Sequence, residues 1–113
     1  MHDPTSPPAV KPLSAADLKA MMDRGERFEF IDVRTDAERA VARIPGSRLL
    51  DQAAYDELIE MDPQTPIVFT CHLGDRSRAA AEHFRGLGFR NLFNVVGGID
   101  AWSQQVDPKV PRY

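Results

Sequence analysis

The sequence predicts an α/β domain built on a small, mostly parallel sheet. Three observations point there. Short apolar runs alternate along the chain with segments of helical spacing. The run Ile67-Val68-Phe69-Thr70 reads as a central strand covered on both faces. Parallel neighbours need crossover connections, and the intervening segments are suited to supply them as helices.

Met1 to Pro12 contains Pro4, Pro7, Pro8 and Pro12 and few apolar anchors, so residues 1–12 are expected to form a mobile tail and 13–113 a single domain. Ser14 has the character of an N-cap, with Asp17 three residues on. Leu18, Met21 and Met22 form an apolar face, and Gly25 stops the helix. Phe28 to Val33 is the first strand. Thr35 and Glu38 have capping-box spacing, which predicts a helix from about Thr35 to Ala42. Ile44-Pro45-Gly46 is a turn, Ser47 to Leu50 a short strand, and Ala53 to Ile59 a helix. Asp62-Pro63 and Thr65-Pro66 break the chain before the strand Ile67 to Thr70. A helix is expected from Ser77 to about Leu87, with Ala80, Phe84 and Leu87 on one face and Gly88 ending it. Asn91 to Val96 is the last strand. Gly97-Gly98 then turns into a short helix over Ile99 to Gln104, and Val106 to Tyr113 is irregular.

The chain has 113 residues, enough for one core, with 42% hydrophobic and 27% charged residues. Its formal net charge of −3 disfavours generic nucleic-acid binding. No apolar stretch approaches the length of a membrane span, and the start lacks a signal-peptide pattern, so the cytoplasm is the expected compartment. The single cysteine excludes an internal disulfide and multi-cysteine zinc sites. His2, His72 and His83 show no metal-ligand spacing.

That cysteine, Cys71, directly follows the strand Ile67 to Thr70 and opens the segment Cys71-His72-Leu73-Gly74-Asp75-Arg76. Ligands in such sheets sit beyond the carboxyl ends of strands. A helix mouth presents unpaired N–H groups and the positive end of the dipole, which favours the nucleophilic thiolate. A loop curled around the sulfur would aim successive amides inward as an anion-binding nest, with Gly74 permitting the tight curl. Arg76 can aim its fork of donors at an oxyanion. Asp75 works the other way. At ~6 Å and an effective dielectric of ~20 to 80, one charge shifts an anion's energy by roughly 0.7 to 3 kcal/mol.

Four motifs occur in order: Asp32-Val33-Arg34 with Glu38, Ile44-Pro45-Gly46-Ser47, Cys71 to Arg76, and Gly97-Gly98-Ile99-Asp100-Ala101-Trp102. Together they resemble the single-domain rhodanese family over about Leu13 to Trp102. The resemblance implies a rhodanese-like fold with helices on both sides of the sheet, and sulfurtransferase activity through a cysteine persulfide. Cys71 is then the nucleophile. Arg76, His72, Leu73, Gly74, Asp75 and Ser77 form the substrate-binding loop, with Ser77 either a helix cap or a donor to the persulfide. The resemblance implies no metal and no organic cofactor. Its partners are a small-molecule sulfur donor such as thiosulfate or a persulfide, and a thiol or cyanide acceptor. A glutathione- or thioredoxin-linked protein is a further candidate; nucleic acid and membrane are not expected.

Ala42-Arg43 stands where many relatives have Gly-His before the Ile-Pro-Gly turn. Asp32 and Arg34 are read as structural, Glu38 as completing the cap, Arg78 as a solvated helix residue, and Trp102 as a core or edge aromatic. Two other functions stay open. Low-molecular-weight and Cdc25-type phosphatases use a loop one residue longer between cysteine and arginine, which leaves phosphatase or arsenate reductase activity as one alternative. A non-catalytic binding module could share the fold, and a redox-sensor cysteine is not separable from sulfur transfer by sequence.

Overall fold

A computed structural model describes residues 6–113. Five strands form one wholly parallel sheet, in the order β1-β5-β4-β2-β3: β1 (Lys11–Leu13), β2 (Glu29–Asp32), β3 (Arg48–Leu49), β4 (Ile67–Thr70) and β5 (Leu92–Val95). Helices α1 (Ala15–Asp23), α2 (Asp36–Val41), α3 (Gln52–Ile59), α4 (Asp75–Gly86) and α5 (Gly98–Gln105) connect and follow them. The expected α/β class and flanking helices are present.

The strand β4 is central, with all four residues buried. Its side chains alternate between two cores, as a pleated strand requires. Val68 joins Leu18, Phe30, Val95, Ile99 and Trp102 on the face covered by α1 and α5. Ile67 and Phe69 join Leu58, Phe84 and Leu92 on the face covered by α3 and α4. Register places Asp32 beside Thr70, so the segments after β2 and β4 emerge together at one edge of the domain.

Two of the N-caps follow from the sequence. Ser14 Oγ accepts the N–H of Asp17 at 3.0 Å, and Thr35 and Glu38 close a reciprocal capping box. The tail boundary is corrected: Lys11 and Pro12 belong to β1, and the preceding carbonyls of Pro7 and Pro8 take hydrogen bonds from Arg85. Proline is tolerated in β1 because it is an edge strand, paired only with β5. His2 lies outside the described residues. Among the described residues, no helix is long and apolar enough to cross a membrane.

After β2 the chain is held by buried charge. Asp32 receives Arg34 Nη2 and Arg39 Nη1, each at 2.8 Å, while Arg34 also donates to the carbonyl of Ala42 at 2.7 Å. Arg39 reaches Ser47 beyond the Ile44-Pro45-Gly46 turn. The structural reading of Asp32 and Arg34 therefore has a concrete form: one carboxylate ties together the end of β2, α2 and the following turn.

Candidate active site

Cys71 sits immediately beyond β4, and α4 begins four residues later. The sequence placed that start at Ser77; the structure places it at Asp75. Gly74 makes the difference. Its φ of 108° is a left-handed conformation that lets the chain turn directly into the helix. Ser77 is accordingly not the cap but the third helical residue, buried and facing back into the loop.

Two donors converge on the sulfur. The N–H of Gly74 lies 3.1 Å from Cys71 Sγ, and Ser77 Oγ lies 3.2 Å from it. The first helical amide to find a carbonyl is that of Arg78, on Gly74 O at 3.3 Å. The N–H groups of Asp75, Arg76 and Ser77 precede the helix ladder and point out of its mouth. Asp75 Oδ1 stands 4.0 Å from Sγ, so a negative charge does lie beside the sulfur. Cys71 itself is fully buried.

Asn94, on β5, is a site residue that the sequence reading missed. Its Nδ2 donates to Gly74 O at 3.0 Å, and its Oδ1 accepts from Ser77 Oγ at 2.5 Å. Ser77 has one proton for Asn94 and the sulfur. While that proton lies on Asn94, the serine oxygen can accept from a Cys71 thiol. When the sulfur is anionic, the hydroxyl can turn to it.

The loop is also fastened from behind. The amides of Ile99 and Asp100, at the start of α5, donate to the carbonyls of Cys71 and His72 at 2.9 and 3.2 Å. This contact explains the glycine pair more fully than a turn does. A Cβ on Gly98 would stand 2.3 Å from the Cys71 carbonyl oxygen.

Arg76 departs from expectation. Its fork does not aim freely at an anion; Nη1 and Nη2 grip the two oxygens of Glu38 at 2.7 and 2.9 Å. Glu38 thus does more than complete a cap. Tyr113 Oη also donates to it at 2.6 Å and accepts from Arg34 Nη1 at 2.9 Å. The hydrogen bonds from Arg76 hold the Glu38 carboxyl well below the usual carboxylate range, against the opposing effect of burial. Glu38 raises Arg76 in turn, and Cys71 contributes a smaller electrostatic effect in the same direction. The pair's stabilisation is fully present above glutamate's ordinary range and is lost progressively as pH falls from there through the lowered value.

The ring of His72 stacks on Tyr113, with centroids 4.0 Å apart and planes 10° from parallel. The terminal segment, expected to be merely irregular, thereby reaches the cysteine loop. Leu73 is 58% exposed. Arg78 lines a separate cleft of about 380 Å³ with Val10, Pro12, Glu82 and Asn94. Only Asn94 links that cleft to the sulfur's hydrogen bonds. His83 is on the exposed side of α4, 2.7 Å from the Tyr55 hydroxyl, and Trp102 is a core residue. Among the described residues, no group of three or more His, Cys, Asp or Glu could hold a metal ion.

Known proteins share this architecture. YtwF of Bacillus subtilis, whose name describes a sulfurtransferase, is 34% identical over 101 residues, covering 88% of this chain and 97% of its own. The thiosulfate sulfurtransferase GlpE of Ectopseudomonas mendocina is 32% identical over 94 residues, covering 82% of each chain. A rhodanese-like domain protein from Staphylococcus aureus has a solved structure with a TM-score of 0.72 and 27% identity, covering 92% of this chain and 99% of that one. Other relatives are larger: the chain spans 38% of a chloroplastic rhodanese-like/PpiC domain-containing protein of Arabidopsis thaliana, and 22–25% of three adenylyltransferase and sulfurtransferase proteins. The Rhodanese-like domain family matches residues 14–105, which include the whole cysteine loop and both glycines behind it, and the chain belongs to that family.

Proposed function

We propose that the protein is a sulfurtransferase that carries sulfane sulfur as a persulfide on Cys71. The observation that carries this reading is the convergence of the Gly74 amide and the Ser77 hydroxyl on the only thiol, at the mouth of α4. With thiosulfate as donor, the Cys71 thiolate attacks the sulfane sulfur. A new S–S bond forms, the bond to the sulfonate sulfur breaks, and its electron pair leaves with sulfite. Cys71 then bears a terminal sulfur with one negative charge. The free amides of the first turn of α4 offer that charge hydrogen bonds. Cyanide or a thiolate attacks the terminal sulfur, takes it, and returns the thiolate. Two separate half-reactions require ping-pong kinetics.

Intact-mass measurement after incubation with thiosulfate, or with a low-molecular-weight persulfide, tests the reading. The expected product gains one sulfur atom, loses it to cyanide, and does not form in Cys71→Ser. The full burial of Cys71 favours the competing reading, a non-catalytic module of the same fold. A thiol that accepts sulfur from neither donor would establish that alternative.

Arg76→Ala is expected to reduce kcat/KM for thiosulfate by at least about tenfold. The change removes a cation beside the sulfur and leaves Glu38 without its counter-charge. Steady-state assay at varied thiosulfate checks it; unchanged kinetics would remove Arg76 from the substrate-binding set.

A further inference from the structure

The geometry points to Glu38 as the residue that selects sulfur donors by charge, disfavouring anionic donors by occupying Arg76. The assignment rests on the sulfurtransferase reading for its biological meaning, but its electrostatics can be tested without it. Arg76 is the second residue of α4, next to Ser77, whose hydroxyl touches the sulfur. Its guanidinium is near enough to Cys71 for the two to interact electrostatically, which makes it the cation placed to meet an incoming anionic donor. Both of its terminal nitrogens are engaged by Glu38. The carboxylate is in turn held by the Tyr113 hydroxyl at 2.6 Å and by the Thr35 amide at 3.3 Å, so it cannot swing aside without losing several partners.

The neighbouring charges balance in number, three arginines against Asp32, Glu38 and Asp75, but each arginine is already engaged. Arg34 and Arg39 turn to Asp32. Asp75 adds a second carboxylate near the sulfur. Glu38 cancels the charge of Arg76, so the arginine offers an anion no net attraction while Asp75 repels it. A donor such as thiosulfate must either displace Glu38 from Arg76 or approach an arginine whose charge is already matched. A donor with little charge around its transferable sulfur meets neither obstacle, and is the substrate class that this site fits.

Glu38→Gln separates charge from structure, because glutamine also serves at this capping-box position. Two alkylating probes of nearly equal size, iodoacetate and iodoacetamide, differ in charge and both report on Cys71. In Glu38→Gln the ratio of the iodoacetate to the iodoacetamide rate is expected to rise by about tenfold, one unit charge at roughly 6 Å in an intermediate dielectric. The kcat/KM for thiosulfate should rise similarly, chiefly through a lower KM. Both gains should vanish when Arg76→Ala is added. Tyr113→Phe, which leaves the carboxylate one partner short, should move the ratio in the same direction by a smaller amount.

An unchanged ratio, or equal acceleration of both probes, would overturn the assignment while leaving sulfur transfer intact. A wild-type protein that gains no sulfur but shows the shift in ratio would retain charge selection by Glu38 and lose the sulfurtransferase reading. Failure of both probes and both donors to modify Cys71 in any variant would overturn both.

Discussion

Asp32→Ala is expected to destabilise the fold by about 3–5 kcal/mol, the range for removing one partner of a buried ion pair. Asp32 is 1% exposed and Arg34 5%, so the loss leaves a guanidinium confined where water cannot replace its partner. Asp32 Oδ1 accepts the backbone N–H and Nε of Arg34, each at 3.0 Å, and Oδ2 accepts from Arg34 and Arg39. Burial opposes the charged form of Arg34, yet its hydrogen bonds to Asp32 and Tyr113 more than offset this and raise its proton affinity. A guanidinium is not deprotonated in proteins, so the arginine stays charged when Asp32 is removed. A domain of this size has about 5–15 kcal/mol of total stability, so a large fraction is at stake. Chemical denaturation with an unchanged slope should show it. Glu57→Ala, which breaks the exposed pair with Arg48, is the control and should scarcely move the midpoint. A loss below about 1 kcal/mol for Asp32→Ala would mean that the neighbouring polar groups, not the carboxylate, hold this corner.

Gly98→Ala is expected to cost about 2–4 kcal/mol, combining left-handed backbone strain with steric overlap. The φ of Gly98 is 55°, and an added Cβ would lie 2.3 Å from the Cys71 carbonyl and 2.6 Å from that of His72. Both obstacles are backbone atoms and cannot rotate away. The loop must shift, so the alkylation rate of Cys71 should change along with stability. Gly25→Ala isolates the strain alone. That glycine has a φ of 67° with open space around it, and its substitution should cost about 1 kcal/mol while leaving Cys71 reactivity unchanged. Differential scanning calorimetry and the alkylation rate, measured on both variants, distinguish the two effects. Equal behaviour of the two variants would show that the close approach behind the loop has no consequence.

The fold was legible where local pattern and tertiary role agree. The strand β4 is apolar and β2 and β5 carry apolar residues because all three lie inside the sheet, and Ser14 and Thr35 cap helices through contacts within one turn. The strand β1 was hidden because Lys11-Pro12-Leu13 has the composition of a tail, and only its place at the sheet edge makes it a strand. At the site, the position of Cys71 after β4 was readable because strand end and helix start are adjacent in sequence. The pairing of Glu38 with Arg76 was not, since 38 residues separate them and only the adjacency of β2 and β4 brings them together. Asn94 reads simply as a strand residue, and its two contacts with the cysteine loop exist only once β5 lies beside β4. Tyr113 follows two prolines in an irregular segment, with no periodicity to announce its contact with His72.

The fastening of the Cys71 and His72 carbonyls to the amides that open α5 has a consequence for timing. Peptide planes pinned at their oxygens cannot rotate freely when a new charge arrives. The orientation of the loop is thus completed during folding, and little reorganisation remains when charge develops on the sulfur.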